Sequence, residues 1–151
     1  MAIPVVKARP RRATVVCWLT AIVVVVLFSA IAVGLGGQRQ GRVVFEVADQ
    51  VAMAGLGLLV AAGILAFTRP RVVADARGIR VRNLVGSYDL PWNVVRAVRF
   101  DRGAPWASLE LVDDDMVAVM AVQAADKEYA VSVVRELRAL LAASRQPESE
   151  S

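Results

Sequence analysis

Histidine is absent from this chain, and cysteine occurs once, as Cys17, in 151 residues. These shortages exclude zinc fingers, His-based triads, Cys-His nucleophiles and disulfide frameworks. Charge is scarce as well: 21% of residues are Asp, Glu, Lys or Arg, against 57% from the hydrophobic set. Soluble domains usually carry a charged fraction of about a quarter. The scarcity is local, because no charged residue lies between Arg12 and Arg39 and none from Gln50 to Thr68. There is no phosphate-binding glycine motif either. Residues 69–151 remain for a soluble fold, enough for one small core and too few for two.

Ala13 to Gly36 is an uncharged run of 24 residues, about 36 Å long as a helix. That exceeds the roughly 30 Å hydrocarbon layer, so it spans with some tilt. Its valines favour a strand in water. In lipid, a single segment satisfies its own backbone only as a helix. Gln50 to Thr68, 19 residues, is just long enough for a second span. Ala30 and Gly34 in the first run, and Gly57 and Ala61 in the second, stand four apart. Such small pairs allow helices to pack closely. The competing reading is a secretory signal, with Lys7 to Arg12 as its basic region and Ala30-Ile31-Ala32 as its cleavage site. Its apolar region would run from Val15 to Ala32, longer than the usual stretch of about 7–15 residues.

The net charge of +4 is unevenly placed. Residues 1–36 hold four basic side chains and no acid, whereas residues 69–151 hold twelve of each sign. The basic excess therefore precedes the first apolar run, which marks membrane orientation rather than a nucleic-acid footprint. Four basic residues precede the first run, two lie between the runs, and Arg69, Arg71, Arg77, Arg80 and Arg82 follow the second. This places both termini inside. The expected organisation is a basic cytoplasmic tail (1–12), a transmembrane helix (13–36), an external loop (37–49), a second transmembrane helix (50–68), a domain (69–145) and a disordered tail (146–151). The protein reads as an integral cell-membrane protein with a cytoplasmic domain.

Pro70 ends the second helix and pushes Arg69 out of helical geometry. Strands are expected at Arg71–Ala76 and Ile79–Leu84, with Arg77-Gly78 as a tight turn in which the glycine takes positive φ. Ile79, Val81 and Asn83 alternate with Arg80 and Arg82, the period of a strand with one wet face. A short Tyr88–Leu90 strand precedes Pro91, and Val94, Arg96, Val98 and Phe100 then share a face. Ala107, Leu109 and Leu111 alternate with Trp106, Ser108 and Glu110. Asp113-Asp114-Asp115 reads as a solvated hairpin tip, because a Ca²⁺ loop needs wider spacing and more oxygens. A helix closes the chain: Asp126 and Glu128 suit its N-terminal end, and Arg138 and Arg145 its C-terminal end. Ala130, Val133, Val134, Leu137, Leu140 and Leu141 form its apolar stripe.

About six strands followed by an amphipathic helix is the order of a pleckstrin-homology-like (PH-like) domain. Several segments make this specific: Arg69-Pro70-Arg71, Gly78-Ile79-Arg80-Val81-Arg82-Asn83, Leu90-Pro91-Trp92, Val98-Arg99-Phe100, Gly103-Ala104-Pro105-Trp106-Ala107 and Met120-Ala121-Val122-Gln123. With them the chain resembles the actinobacterial PH-domain membrane proteins of the low-molecular-weight protein antigen 6 family. The resemblance implies an α+β domain, an antiparallel sandwich or partial barrel capped by the C-terminal helix, behind a two-helix transmembrane hairpin. It implies no catalytic role. Eukaryotic PH domains that bind phosphoinositides use a roomy basic loop between their first two strands. Here that connection is about Arg77-Gly78, so the resemblance does not carry that route of recognition over.

The expected function is a membrane-anchored adaptor that binds a protein partner or assembles with itself. The alternative is a module for anionic lipid headgroups. The candidate partner or lipid surface comprises Arg69, Arg71, Arg80, Arg82, Arg99, Arg102 and Trp106. Asp75, Asp89 and Glu110 are the acids that an enzyme reading would need to bring together. No cofactor, metal, nucleic acid or small-molecule substrate is expected. Alternation sends Trp106 away from the core face, either to cap the open end of the sandwich or to anchor a partner.

Overall fold

The computed structural model describes residues 5–35, 39–40, 43–44 and 46–146. Residue 36 of the expected first span, residues 37, 38, 41, 42 and 45 of the expected external loop, and 147–151 of the expected tail lie outside the described residues, as do 1–4. The chain divides into two units, Ala13–Thr68 and a domain formed by Met1–Arg12 with Arg69–Ser151.

The first unit holds most of α1 (Arg11–Leu35) and all of α2 (Val47–Ala66), with the two-residue strands β2 (Arg39–Gln40) and β3 (Val43–Val44) paired between them. Both helices are long and apolar enough to cross a membrane. Glu46 and Asp49 form a capping box at the start of α2, with the Glu46 N–H donating to Asp49 Oδ2 at 2.9 Å. This satisfies backbone donors that the first turn leaves free. Gly57 is the point of close approach: a Cβ there would lie 2.6 Å from Phe28 Cβ. Gly57 and Ala61 are buried, as a helix contact requires. Ala30 and Gly34 are exposed, and a Cβ on Gly34 would touch nothing. Of the two small pairs, only the second lies at a contact.

The domain contains β4 (Arg71–Ala74), β5 (Gly78–Arg82), β6 (Ser87–Pro91), β7 (Val95–Arg99), β8 (Trp106–Leu111), β9 (Met116–Gln123) and α3 (Glu128–Arg145). A seventh strand comes from elsewhere in the sequence. β1 (Val6–Ala8), within the stretch read as a basic tail, pairs antiparallel with β4. The sheets run β1-β4-β5-β6 and β7-β8-β9. They are not closed into a barrel, and α3 packs on them as the PH-like arrangement requires. All six residues of its predicted stripe are buried, in one cluster with Val72, Ile79, Val81, Leu109 and Val119. Val6 and Ala8 join that cluster, while Lys7 between them stays exposed.

Asn83 is buried without cost to its polar side chain. Its Nδ2 donates to the Ala118 carbonyl at 2.7 Å, and its Oδ1 accepts from the Met120 N–H at 3.2 Å. One amide thus behaves as a strand residue toward β9 and links the two sheets. Trp92, 4% exposed, donates Nε1–H to the Asp75 carbonyl at 2.7 Å.

Three local expectations are corrected. The glycines at positive φ are Gly86 and Gly103, not Gly78. At Gly78 the reason for glycine is space, since a Cβ would lie 2.5 Å from the Leu90 carbonyl oxygen. The β4–β5 turn is instead held by Asp75 Oδ1, which accepts the Arg77 N–H at 2.8 Å and the Gly78 N–H at 3.2 Å, a side chain mimicking a backbone turn. In β7 a register shift between Val95 and Ala97 buries Val95 and Val98 and leaves Arg96 outside, because a bulge breaks the period of two. Asp126 does not serve α3. Its two carboxylate oxygens accept the Arg11 N–H at 3.1 Å and the Arg12 N–H at 2.9 Å, at the first turn of α1. Arg145 stands in the last turn of α3 as expected, and Arg138 and Arg145 also donate to carbonyls of β7, at Val98 and Val95.

Candidate functional site

The predicted surface residues divide by their partners. Arg80 on β5 is bonded to Asp89 of β6, with its Nε at 3.0 Å from Oδ2. Arg99 on β7 is bonded to Glu110 of β8 through Nε at 2.5 Å, and Arg96 reaches the other oxygen of Glu110 at 3.3 Å and also Asp114. These hydrogen bonds, first from Arg99 and then from Arg96, hold the Glu110 carboxyl below the usual carboxylate range. Arg69, Arg71, Arg82 and Arg102 are exposed and form no ion pair among the described residues. Asp75 and Asp89 line one concavity beside β6, but Glu110 lies apart from them, and each acid is committed to a separate turn or arginine. Among the described residues no group of three or more Cys, Asp or Glu could hold a metal.

Trp106 opens β8 opposite Gln123, beyond a register shift that separates it from Ala107 and Val119. It is 37% exposed, so most of the ring is covered while one part faces solvent.

Two grooves organise the domain surface. The larger, about 730 Å³, lies between the loop after β7 and the N-terminal half of α3. Phe100, Ala104 and Val131 supply its apolar lining, and Val131 is 49% exposed. Its charged lining has both signs: Asp101 and Glu128 beside Arg102, Lys127 and Arg135. Of the predicted residues, Arg102 alone lines it. Lys127, at φ 47°, turns the chain from β9 into α3.

The second groove, about 500 Å³, lies where β1 joins β4 and is lined by Lys7, Arg9, Arg11 and Arg71 with Val73 and Tyr129. β1 pairs Lys7 with Val73, and β4 in turn pairs Arg71 with Arg82 and Val73 with Arg80. Directly opposite residues of an antiparallel pair share a face. One outward face therefore carries Lys7, Arg71, Arg80 and Arg82. The Arg11 guanidinium sits 4.1 Å from the centroid of the Tyr129 ring, a cation–π contact that fixes one wall. Of the predicted residues, only Arg71 lines this groove. Lys7, Arg9 and Arg11 had registered in the sequence as an orientation signal. The missed clue was the alternation Val6-Lys7-Ala8-Arg9, too short to stand out as a strand.

The bacterial PH domain family matches residues 69–140. An uncharacterised protein of Mycobacterium tuberculosis is 47% identical over 103 residues, 68% of this chain and 67% of its own. An uncharacterised protein of Mycobacterium bovis matches to the same extent. Low molecular weight protein antigen 6 of M. tuberculosis is 43% identical over 54 residues, 36% of this chain and 47% of its own. No solved structure matches the chain.

Proposed function

This chain belongs to the bacterial PH-domain family, and on that premise we propose that it is a non-catalytic binding module, anchored at the cytoplasmic face of a membrane, that docks a protein partner or a second copy of itself. The pairing of β1 with β4 supports the anchoring. The chain enters α1 from one strand of the domain and leaves α2 into the neighbouring strand. Two spans return a chain to its starting side, whereas cleavage at Ala32 would discard β1. The distribution of basic residues supports that side being inside the cell.

The groove beside α3 carries the docking half of the proposal. An apolar floor ringed by charges of both signs is the anatomy of a protein interface, and it offers a partner an apolar anchor site with charge-selected flanks. The test is a photo-crosslinking residue at Val131 in the full chain in its native membrane. Val85, 86% exposed and outside the groove, serves as the control position. A discrete adduct from position 131 alone is expected, with doubled mass for self-assembly and another mass for a partner. No adduct, or the same pattern from both positions, would refute the docking. A reporter fused after Ser151 that is accessible from outside would refute the orientation.

A further inference from the structure

We infer that the turn between β5 and β6 inserts Leu84 and Val85 into the lipid interface of the membrane that α1 and α2 cross, as a third point of attachment for the domain. The inference rests on the anchoring half of the proposed function and is independent of the α3 groove. Turns usually carry Gly, Pro, Asn, Asp or Ser. This one places leucine and valine at its centre, between Asn83, whose N–H donates to the Gly86 carbonyl at 3.0 Å, and Gly86 at φ 97°. Val85 is 86% exposed, more than any large apolar side chain of α1 or α2 among the described residues. The base of the turn is held, because the buried Asn83 amide makes two hydrogen bonds to β9. Tyr88 is 43% exposed, and its hydroxyl lies 3.9 Å from where a Cβ on Gly86 would stand. A ring with an apolar body and a polar tip suits the water–lipid boundary.

The register of the sheet sets this turn at the end from which the spans leave. Four residues separate α2 from β4, and two separate β1 from α1. Even fully extended, the chain from Ala66 to Arg71 covers no more than about 17 Å. Arg71 stands opposite Arg82, and Ala8 opposite Val72, so both connections leave the sheet beside the β5–β6 turn. The β4–β5 turn, Asp75-Ala76-Arg77, lies at the far end, where Ala74 pairs with Ile79, and it is polar. No acid occurs from Ala76 to Tyr88. Two tethers on neighbouring strands leave the domain free to rock about them. The turn lies further along the sheet, about 5–10 Å from β4, and a contact there fixes the tilt. Tethering makes insertion an intramolecular step, so two apolar side chains suffice. A lipid adduct at Val85 adds no second protein, and that position still serves as the crosslinking control.

The experiment uses the full chain in phosphatidylcholine vesicles. Cys17→Ala removes the one cysteine, and a spin label is attached singly through Val85→Cys, Ala76→Cys or Leu59→Cys. Collisions with oxygen, which partitions into lipid, and with a nickel chelate, which stays in water, report the surroundings. Leu59, 72% exposed within α2, reports the span itself. The label at 85 is expected to favour oxygen and to meet nickel at least about fivefold less often than the label at 76. Salt at about 1 M leaves this contrast unchanged, because it screens charges and not apolar contact. Val85→Asp, at a side chain outside the core, raises nickel collisions of a Ser87→Cys label at least about threefold, whereas Ala76→Asp does not. With the label at 59 in lipid, equal nickel access at 85 and 76, loss of the contrast in salt, or no effect of Val85→Asp would overturn the insertion. Protection at 85 from both reagents would overturn it in favour of a protein contact. A label at 59 open to nickel would overturn the anchoring, and this inference with it.

Discussion

Asp126 is the residue on which the join between the tail and the domain turns. It is 6% exposed and accepts two backbone N–H groups, from Arg11 and Arg12, at the positive end of α1. Asp126→Ala leaves both donors without that acceptor and removes a favourable charge. A lost N-cap costs about 1 kcal/mol, up to about 2. The charge at a partly buried helix end adds up to about 2 kcal/mol. The two overlap, so the expected loss is about 2–3 kcal/mol. For a unit of this size that lowers the melting temperature by about 10–20 °C. Asp126→Asn keeps an acceptor oxygen for one of the two N–H groups and forfeits the charge, which costs about 1–2 kcal/mol. The assay is denaturant unfolding of the full chain in detergent, with Trp18→Phe so that Trp92 and Trp106 report the domain. Arg12→Pro supplies the cross-check, because proline is tolerated in a first turn and has no N–H to donate. On that background Asp126→Ala costs about half as much. A loss below about 0.5 kcal/mol, or the same loss on both backgrounds, would refute the cap.

Three further outcomes follow from the geometry. Gly78→Ala drives a methyl group against the Leu90 carbonyl oxygen, 2.5 Å from the ideal Cβ position, and lowers stability by about 2 kcal/mol or more in the same assay. The Glu110 carboxyl, lowered by Arg99 and then Arg96, titrates below an unstructured glutamate. Its contribution is therefore present above the ordinary glutamate range and is lost as pH falls through the depressed value; carboxyl shift titration checks this, and Arg96→Ala with Arg99→Ala moves the midpoint back up. Trp106→Ala, at a ring mostly covered and 37% exposed, costs about 2 kcal/mol in denaturant melts. A cost below about 1 kcal/mol would assign the ring to the surface rather than to the sandwich end.

Elements whose signal is periodic and local were legible from the residues alone. The charge-free runs specified two helices long and apolar enough to cross a membrane, where a single segment satisfies its own backbone only as a helix. The stripe of α3 and the inward faces of β5 and β8 were legible because burial imposes periods of 3.6 and 2 on any chain with one wet face. The tertiary structure decided what depends on partners distant in sequence. The bulge in β7 shifted its faces, since an extra residue inverts every side chain beyond it, whereas the register shift beside Trp106 left the alternation of β8 intact. Gly78 owes its identity to Leu90 on the neighbouring strand. Asp126 looked like the cap of the helix that follows it, but it serves one that begins more than a hundred residues earlier. The basic groove belongs to the same class. Lys7, Arg9 and Arg11 differ from other basic residues beside an apolar run only because Val6 and Ala8 find a place against β4. That place is set by an edge strand with open hydrogen bonds, not by anything within the first dozen residues.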